Sequence, residues 1–232
     1  MFNTGKMKKK VEELKKSGLI RKNEKILIAF SGGPDSVFLY NLLNFLKEEY
    51  SLEISLIYIN HNLREDVGND LKFVREFSEE NNVPLYIESV NVKEYAAENK
   101  KSIELAAREL RYQAIERTLK NINYDRIATG HNLDDNIETF IFRLVRGTSL
   151  KGLKGIPKER GNIIRPILQF EKNEILNCLQ ENRKSYIIDY TNNENDYTRN
   201  YIRNEIFPMF NHHLYDSFDC CRKFFDSGCR RR

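Results

Sequence analysis

Short, unbroken apolar runs alternate with longer amphipathic stretches over the first two thirds of the chain. KILIAF at 25–30 carries no polar residue after its lysine, the pattern of a strand buried on both faces. ISLIYI at 54–59 repeats that pattern, and PLYIESV at 84–90 and DRIATG at 125–130 predict two further strands. Between them lie helical patterns. VFLYNLLNFL at 37–46 reads as a buried helix, and 66–81 places Val67, Leu71, Val74 and Phe77 at helical spacing. A long helix is expected from Ile103 through Leu119 and another over 134–145. A short helix over 4–17 precedes them all, with Thr4 as cap, Val11 and Leu14 as a thin apolar stripe and Gly18 as the stop.

Strand and helix alternating at this rhythm mean βαβ units. The expected fold is therefore α/β, a Rossmann-like three-layer arrangement with a mostly parallel sheet and helices on both faces. After residue 146 the texture changes. RGTSLKGLKG is a loop rich in Gly and Lys, RPILQF is expected to add one strand, and KNEILNCLQ and TRNYIRNEIFPMF two short helices. From about 211 the pattern dissolves, so residues 1–210 are expected to form one domain and 211–232 an atypical, disordered tail.

Composition narrows the class. Of 232 residues, 40% are hydrophobic, enough for a core, and the 38 basic and 34 acidic residues nearly cancel to +4, which excludes a wholly disordered chain. No apolar run approaches the roughly eighteen residues of a membrane-spanning helix. The sequence pI of about 8.7 permits a nucleic-acid partner without requiring one. The basic N-terminus lacks the apolar stretch of a secretory signal and its glutamates argue against a transit peptide, so a cytoplasmic location is expected. Of the four cysteines only Cys178 lies outside the tail, and no CxxC pair or Cys/His set has zinc spacing. A structural zinc, an iron–sulfur cluster and a disulfide framework are not expected.

The candidate chemistry begins at SGGPDS, 31–36, between the first strand and its helix. Gly32 and Gly33 permit close backbone approach to a ligand, and Pro34 suits the first turn of a helix, where its missing N–H costs nothing. Free N–H groups at the helix start, with the Ser31 and Ser36 hydroxyls, form a cradle for phosphate. Asp35 is out of place in a purely anionic cradle, and a carboxylate there makes sense when Mg²⁺ bridges it to phosphate oxygens. The bland alternative leaves Asp35 serving only the helix dipole. The loop is neither a Walker A sequence nor the GxGxxG fingerprint.

Five further segments accompany the loop in order: YINHNLR at 58–64, IELAARELRY at 103–112, ATGHNLDDNIET at 128–139, RGTSLKGLKGI at 146–156 with RPIL at 165–168, and DYTNNENDYTRNYIRNEIFP at 189–208. The loop alone resembles the PP-loop of the N-type ATP pyrophosphatases. The full set, over roughly residues 20–210, resembles the tRNA(Ile)-lysidine synthase family. That resemblance implies an enzyme that uses ATP, with Mg²⁺, to adenylate the wobble cytidine of the CAU anticodon in tRNA(Ile). The amine of free L-lysine then attacks carbon 2 and AMP leaves. It implies ATP binding by Ser31, Gly32, Gly33, Pro34, Asp35, Ser36 and His61. His61, which ends a strand together with Arg64, is equally readable as a loop histidine without a role.

The resemblance further implies catalytic roles for Asp35, His131, Asp134, Asp135 and Arg111. The carboxylates hold either Mg²⁺ or the ammonium of lysine, with Glu138 a weaker candidate on the face of Asp134. Acidic residues also favour a helix N-terminus for its dipole alone. Glu104, Arg108 and Arg111 share one helix face, which an ordinary Glu–Arg pair explains equally well; the resemblance turns the arginines toward the cleft, where a guanidinium offsets phosphate charge. Arg108, Arg146, Arg199 and Arg203 are expected to contact substrate or tRNA, with Asn200 beside them. The stretch from Arg146 through Gly155 is expected to close over phosphate or substrate. The sequence departs from the family at Ser149, where glycine is usual. The basic residues Lys6, Lys8, Lys9, Lys10, Lys15 and Lys16 read as a solvated helix face. A tRNA thiolase is the nearest rival, and it would need cysteines that the body of this chain lacks. Family members continue into C-terminal regions that grip tRNA, so the alternative to a working synthase is a C-terminally truncated chain, an ATP- or tRNA-binding fragment without full catalysis.

Overall fold

The computed structural model describes residues 1–2, 5–62, 67–149 and 152–188, together with positions 201, 205, 206, 209 and 218. Seven α-helices and six strands form this part of the chain. Strands β1 (Lys25–Ala29), β2 (Glu53–Asn60), β3 (Leu85–Ser89), β4 (Arg126–Ala128), β5 (Glu159–Arg160) and β6 (Ile163–Ile164) make one sheet in the order β3-β2-β1-β4-β6-β5. All pairings are parallel except β5 with β6. The mostly parallel α/β fold expected from the sequence is the fold observed.

The strands alternate strictly between two cores, as a period of two requires. Ile26, Ile28, Ile54, Leu56 and Ala128 face the larger core, and Leu27, Ile57 and Ile127 face the smaller. Helix α2 (Pro34–Tyr50) fills the larger core and is apolar nearly all round, with Val37, Phe38, Leu39, Leu42, Leu43 and Leu46 buried. It is covered in turn by α1 (Gly5–Lys16), through Val11 and Leu14, and by α7 (Lys172–Glu181), through Ile175 and Leu179. Phe38 meets Phe2 and Phe170 edge-on at 5.5 and 5.2 Å between ring centroids. Helix α3 (Val67–Glu80) joins the same side through Val74 and Phe77. The opposite face is thinner, with Ile115 and Leu119 of α5 (Ile103–Asn121) on the sheet and α4 (Val92–Glu98) packed against α5 through Val92, Ala96 and Ala106.

Several expectations change. RPILQF is not a strand: β6 precedes it, and residues 165–168 turn back toward α7. Pro166 has no N–H for a ladder, so the sheet ends where it does for a local reason. Helix α4 and the β5–β6 hairpin were not visible in the apolar pattern because both are short. Lys6 and Lys10 do not form a merely solvated face; their ammonium groups reach Glu171 and Glu174 and tie α1 to α7. Thr4 and most of 189–232 lie outside the described residues. In that stretch Phe218 is buried and packs edge-on against Phe140 at 5.3 Å. Among the described residues no helix is long and apolar enough to cross a membrane.

Candidate active site

The connection from β3 to β4 runs through α4 and α5 across the other face and returns the chain beside β1. The order in which successive strands are added therefore reverses at β1, with β2 on one side of it and β4 on the other. In open α/β sheets this switch point leaves a crevice at the carboxyl ends of the strands, where ligands bind. The segment after β1 is SGGPDS and the segment after β4 is TGHN, so the two motifs singled out in sequence meet there. Gly130 makes the contact possible, since a Cβ there would sit 3.3 Å from both the Asp35 carbonyl carbon and the Asp35 Cβ.

The phosphate loop is pre-shaped. Gly33 caps α2 in extended conformation with Pro34 at its first turn, and no side chain accepts from the first free N–H groups of that helix. Ser31 Oγ accepts from Gly33 N–H at 3.3 Å, and Ser36 Oγ donates to the Gly33 carbonyl at 2.8 Å. Gly32 has φ of +80°, and a Cβ there would lie 2.5 Å from Ile187 Cδ1, so both conformation and packing demand glycine.

The rim is an array of cations. Arg165, directly after β6, is 6% exposed and donates from Nη1 to the Pro157 carbonyl at 2.8 Å, while its Nε is buried without a partner. Arg108 stacks over the Tyr112 ring at 5.6 Å. Arg111 Nη2 lies 3.4 Å from His61 Nε2. Desolvation, with Arg108 as the repulsive neighbour, lowers the Arg111 pKa from its ordinary value, and desolvation does the same to Arg165. No ion pair joins Arg108, Arg111 or Arg165 to a carboxylate among the described residues. Cations gathered in this way attract an anion.

The two histidines adapt to that field. Desolvation first, and then the charges of Arg165, Arg108 and Arg111, push the His131 imidazole down to about 4. Its Nδ1 lies 2.9 Å from Thr129 Oγ1. His61 is also pushed down to about 4, by desolvation and by Arg111, and its Nδ1 is buried without a partner. Both rings are thus neutral at neutral pH and add no charge to the array.

The acidic residues separate into different jobs. Asp35 Oδ2 is 2.6 Å from Lys172 Nζ, and its Oδ1 accepts from Asn132 Nδ2 at 3.1 Å. Asp135 closes a capping box with Asn132 at the start of α6 (Leu133–Val145), each side chain accepting the other's backbone N–H at 3.0 Å. Asp134 Oδ2 accepts from the Lys172 N–H at 2.7 Å, linking α6 to α7. Glu138 is buried. Arg146 lies at the exposed end of α6, stacked on Phe142 at 4.3 Å. Arg64, Arg199, Asn200 and Arg203 lie outside the described residues.

The stretch expected to close over substrate is anchored at its far end. Arg143 Nη1 donates to the carbonyls of Gly152 and Gly155 at 2.9 and 3.0 Å, and Asn136 Oδ1 accepts from Ile156 N–H at 2.6 Å. Sequence reasoning assigned nothing to Lys172, Asn132, Arg165, Asn136 or Arg143. Asn132 and Arg165 stood within quoted motifs, whereas Lys172 gave no signal until folding brought α7 to the loop. A recess of about 530 Å³ near Arg126 lies at the opposite ends of the strands and shares none of these residues.

A family model described as PP-loop domain matches residues 3–210. The chain belongs to the PP-loop domain family. It is 42% identical to the tRNA(Ile)-lysidine synthase of Thermosipho africanus over 88% of this chain and 48% of that protein. It is 42% identical to the tRNA(Ile)-lysidine synthase of Clostridioides difficile over 86% of this chain and 44% of that protein. This PP-loop chain thus spans about half the length of those curated relatives. Its fold is similar to that of the U34-tRNA thiolase NcsA from Methanococcus maripaludis, solved with its [4Fe-4S] cluster, with a TM-score of 0.78 at 19% identity over 95% of this chain and 78% of that one. At that identity the likeness is one of fold. Cys178, the one cysteine among the described residues, is buried in the larger core and its thiol pKa is raised by burial, the reverse of a sulfur carrier's needs.

Proposed function

We propose that the crevice between β1 and β4 binds ATP with Mg²⁺, and that this chain carries out lysidine synthesis on tRNA(Ile). Residues 1–210 are taken as the catalytic unit. The observation that carries the reading is the meeting of an open phosphate loop with Arg108, Arg111 and Arg165, which have no carboxylate partner among the described residues, in a chain so similar to proteins named tRNA(Ile)-lysidine synthase. The Ser31–Ser36 loop cradles the nucleotide phosphates with its free N–H groups and hydroxyls. Asp35 is suited to Mg²⁺, a hard ion usually held by one or two carboxylates together with substrate phosphates. Among the described residues no group of three His, Cys, Asp or Glu side chains could hold the ion unaided, which fits a metal that relies on nucleotide oxygens.

In the reaction, the cytidine O2 attacks the α-phosphorus of ATP, and pyrophosphate leaves with the electron pair of the broken P–O bond. Arg111, Arg108 and Arg165 offset the charge that grows on that leaving group. The amine of L-lysine then attacks carbon 2, a proton leaves the amine, and AMP departs with the former O2. Bound Mg²⁺ would supply charge neutralisation on the phosphates. His131 and His61, being neutral, hydrogen-bond to nucleotide or base without adding to the cationic field. Asp134 and Asp135 fix the crevice wall beside Asp35, and Asp134 is assigned to the lysine ammonium. Arg146, Arg199 and Arg203 are assigned to the RNA backbone, where phosphate contacts set position rather than sequence. The reacting base stands in a single-stranded loop, so no duplex has to open.

The test is incorporation of labelled lysine into a CAU-anticodon tRNA(Ile) transcript with ATP and Mg²⁺. Label in that RNA, but not in one whose wobble cytidine is uridine, is the expected result. Binding of ATP·Mg²⁺ by calorimetry without any label would refute the complete synthase and leave an ATP-binding fragment. Absence of ATP binding would refute the site itself.

A further inference from the structure

Lys172 opens α7 and sends its side chain across the crevice to the phosphate loop. Its Nζ lies 2.6 Å from Asp35 Oδ2, while Asn132 Nδ2 donates to Asp35 Oδ1 at 3.1 Å. The carboxylate best suited to Mg²⁺ is therefore engaged on both oxygens by the protein's own groups. The backbone of Lys172 is fixed, because its N–H donates to Asp134 Oδ2 at 2.7 Å. Its side chain is not fixed to the same degree. It is 34% exposed, and its ammonium sits on a flexible four-carbon stem.

We propose that Lys172 is the resident counterion of the metal position. It occupies the place of a divalent cation on Asp35 while no nucleotide is bound, and it turns to the nucleotide phosphates when the metal arrives with them. The proposal rests on reading the crevice as an ATP·Mg²⁺ site. An ammonium and a divalent cation repel strongly at the few ångströms that sharing one carboxylate would impose. Mg²⁺ also gives up its water reluctantly, and one carboxylate already neutralised by an ammonium offers it little. Metal and nucleotide therefore enter together. The displaced ammonium is then within a side-chain rotation of the loop that holds the phosphates. Lys172 is a positioning residue for the metal and a binding residue for the phosphates, assigned by folding alone.

The experiment uses the full chain labelled with ¹⁵N and Mn²⁺ as the metal probe. Without nucleotide, paramagnetic broadening of the Gly33 and Ser36 amide signals is followed in the wild type, Lys172→Met and the Lys172→Met/Asp35→Asn double variant. Lys172→Gln serves as a second neutral replacement. Lys172→Met is expected to broaden these signals at Mn²⁺ concentrations at least about tenfold below those the wild type needs, since a like charge has left the site. The double variant is expected to lose that gain. In a second arm, calorimetry with ATP at saturating Mg²⁺ is expected to show binding weakened about tenfold or more by Lys172→Met, the loss of one charge-assisted contact. Equal broadening in wild type, Lys172→Met and Lys172→Gln, or a gain that survives Asp35→Asn, would overturn the proposal. So would ATP affinity unchanged by both replacements. A wild type that binds no ATP·Mg²⁺ would instead refute the functional reading beneath it, while the Mn²⁺ arm still decides whether Lys172 occupies the metal position.

Discussion

The imidazole of His131 offers a sharp test of the electrostatics of the crevice. In an unfolded chain it titrates near 6.5, and in the folded protein at about 4, because burial and then Arg165, Arg108 and Arg111 oppose its charge. Between these values the unfolded state holds more protons, so stability rises with pH across the window. The contribution is complete above about 6.5, and it is lost progressively as pH falls toward 4. At about 1.4 kcal/mol per pH unit of difference, His131 accounts for a loss of about 2 kcal/mol between pH 7 and pH 5. Urea unfolding of the wild type and His131→Gln at the two pH values measures it. The wild type is expected to lose about 2 kcal/mol more than the variant, because the carboxylates titrate alike in both. Imidazole proton signals give the same quantity directly, with the His131 signal identified by its loss in the variant. A His131 signal that titrates near pH 6.5, together with equal stability losses in both proteins, would refute the argument that burial and neighbouring arginines oppose charge on this ring. Saturation with pyrophosphate, by neutralising those arginines, is expected to move the His131 pKa upward.

Three other substitutions test separate parts of the structure. Gly155→Ala would put a Cβ 2.3 Å from Asn136 Oδ1 at a φ of +71°, and thermal unfolding should show a loss of about 3 kcal/mol, whereas Gly161→Ala, with nothing within 4 Å, should lose about 1 kcal/mol. Asn132→Ala removes the cap of α6 and one contact of Asp35, so stability should fall by about 1 kcal/mol and ATP·Mg²⁺ affinity about tenfold; Asn132→Asp keeps a capping oxygen but sets a second, buried carboxylate beside Asp35, so chemical unfolding should show no recovery of stability. Arg126→Met leaves buried Glu24 without its partner at the far end of the sheet, and denaturant unfolding should show a loss of about 3 kcal/mol while calorimetry finds ATP affinity unchanged.

Much of the molecule was legible before folding because two signals are strong and local. Runs such as KILIAF and ISLIYI can be satisfied only by strands covered on both faces, and SGGPDS places its glycines and proline where a strand must pass into a helix. Elements held by few apolar residues were not legible. The two-residue strands β5 and β6 exist because the sheet edge offers them backbone partners, and α4 exists because Asn91 caps it and α5 covers it. Among candidate residues, Asp35, Arg111 and His131 were named in advance, but their surroundings were not. The resemblance gave Asp134 and Asp135 a shared role in holding Mg²⁺ or the lysine ammonium, and the structure engages Asp135 in a capping box and Asp134 with the first N–H of α7.

What the sequence determined by itself is the alternation of buried strands with amphipathic helices, and hence a parallel sheet with a ligand edge. Both follow from periodicity and loop chemistry within a few residues. What only the tertiary structure decided is which charges meet. Arg165 lies more than fifty residues from Arg111, and Lys172 lies 137 positions from Asp35, yet each pair comes together at one crevice. Separation of that size leaves no periodic trace in a single sequence. It is settled by the return of β4 beside β1 and by the packing of α7 on α2, which place distant side chains within reach of one carboxylate and one imidazole.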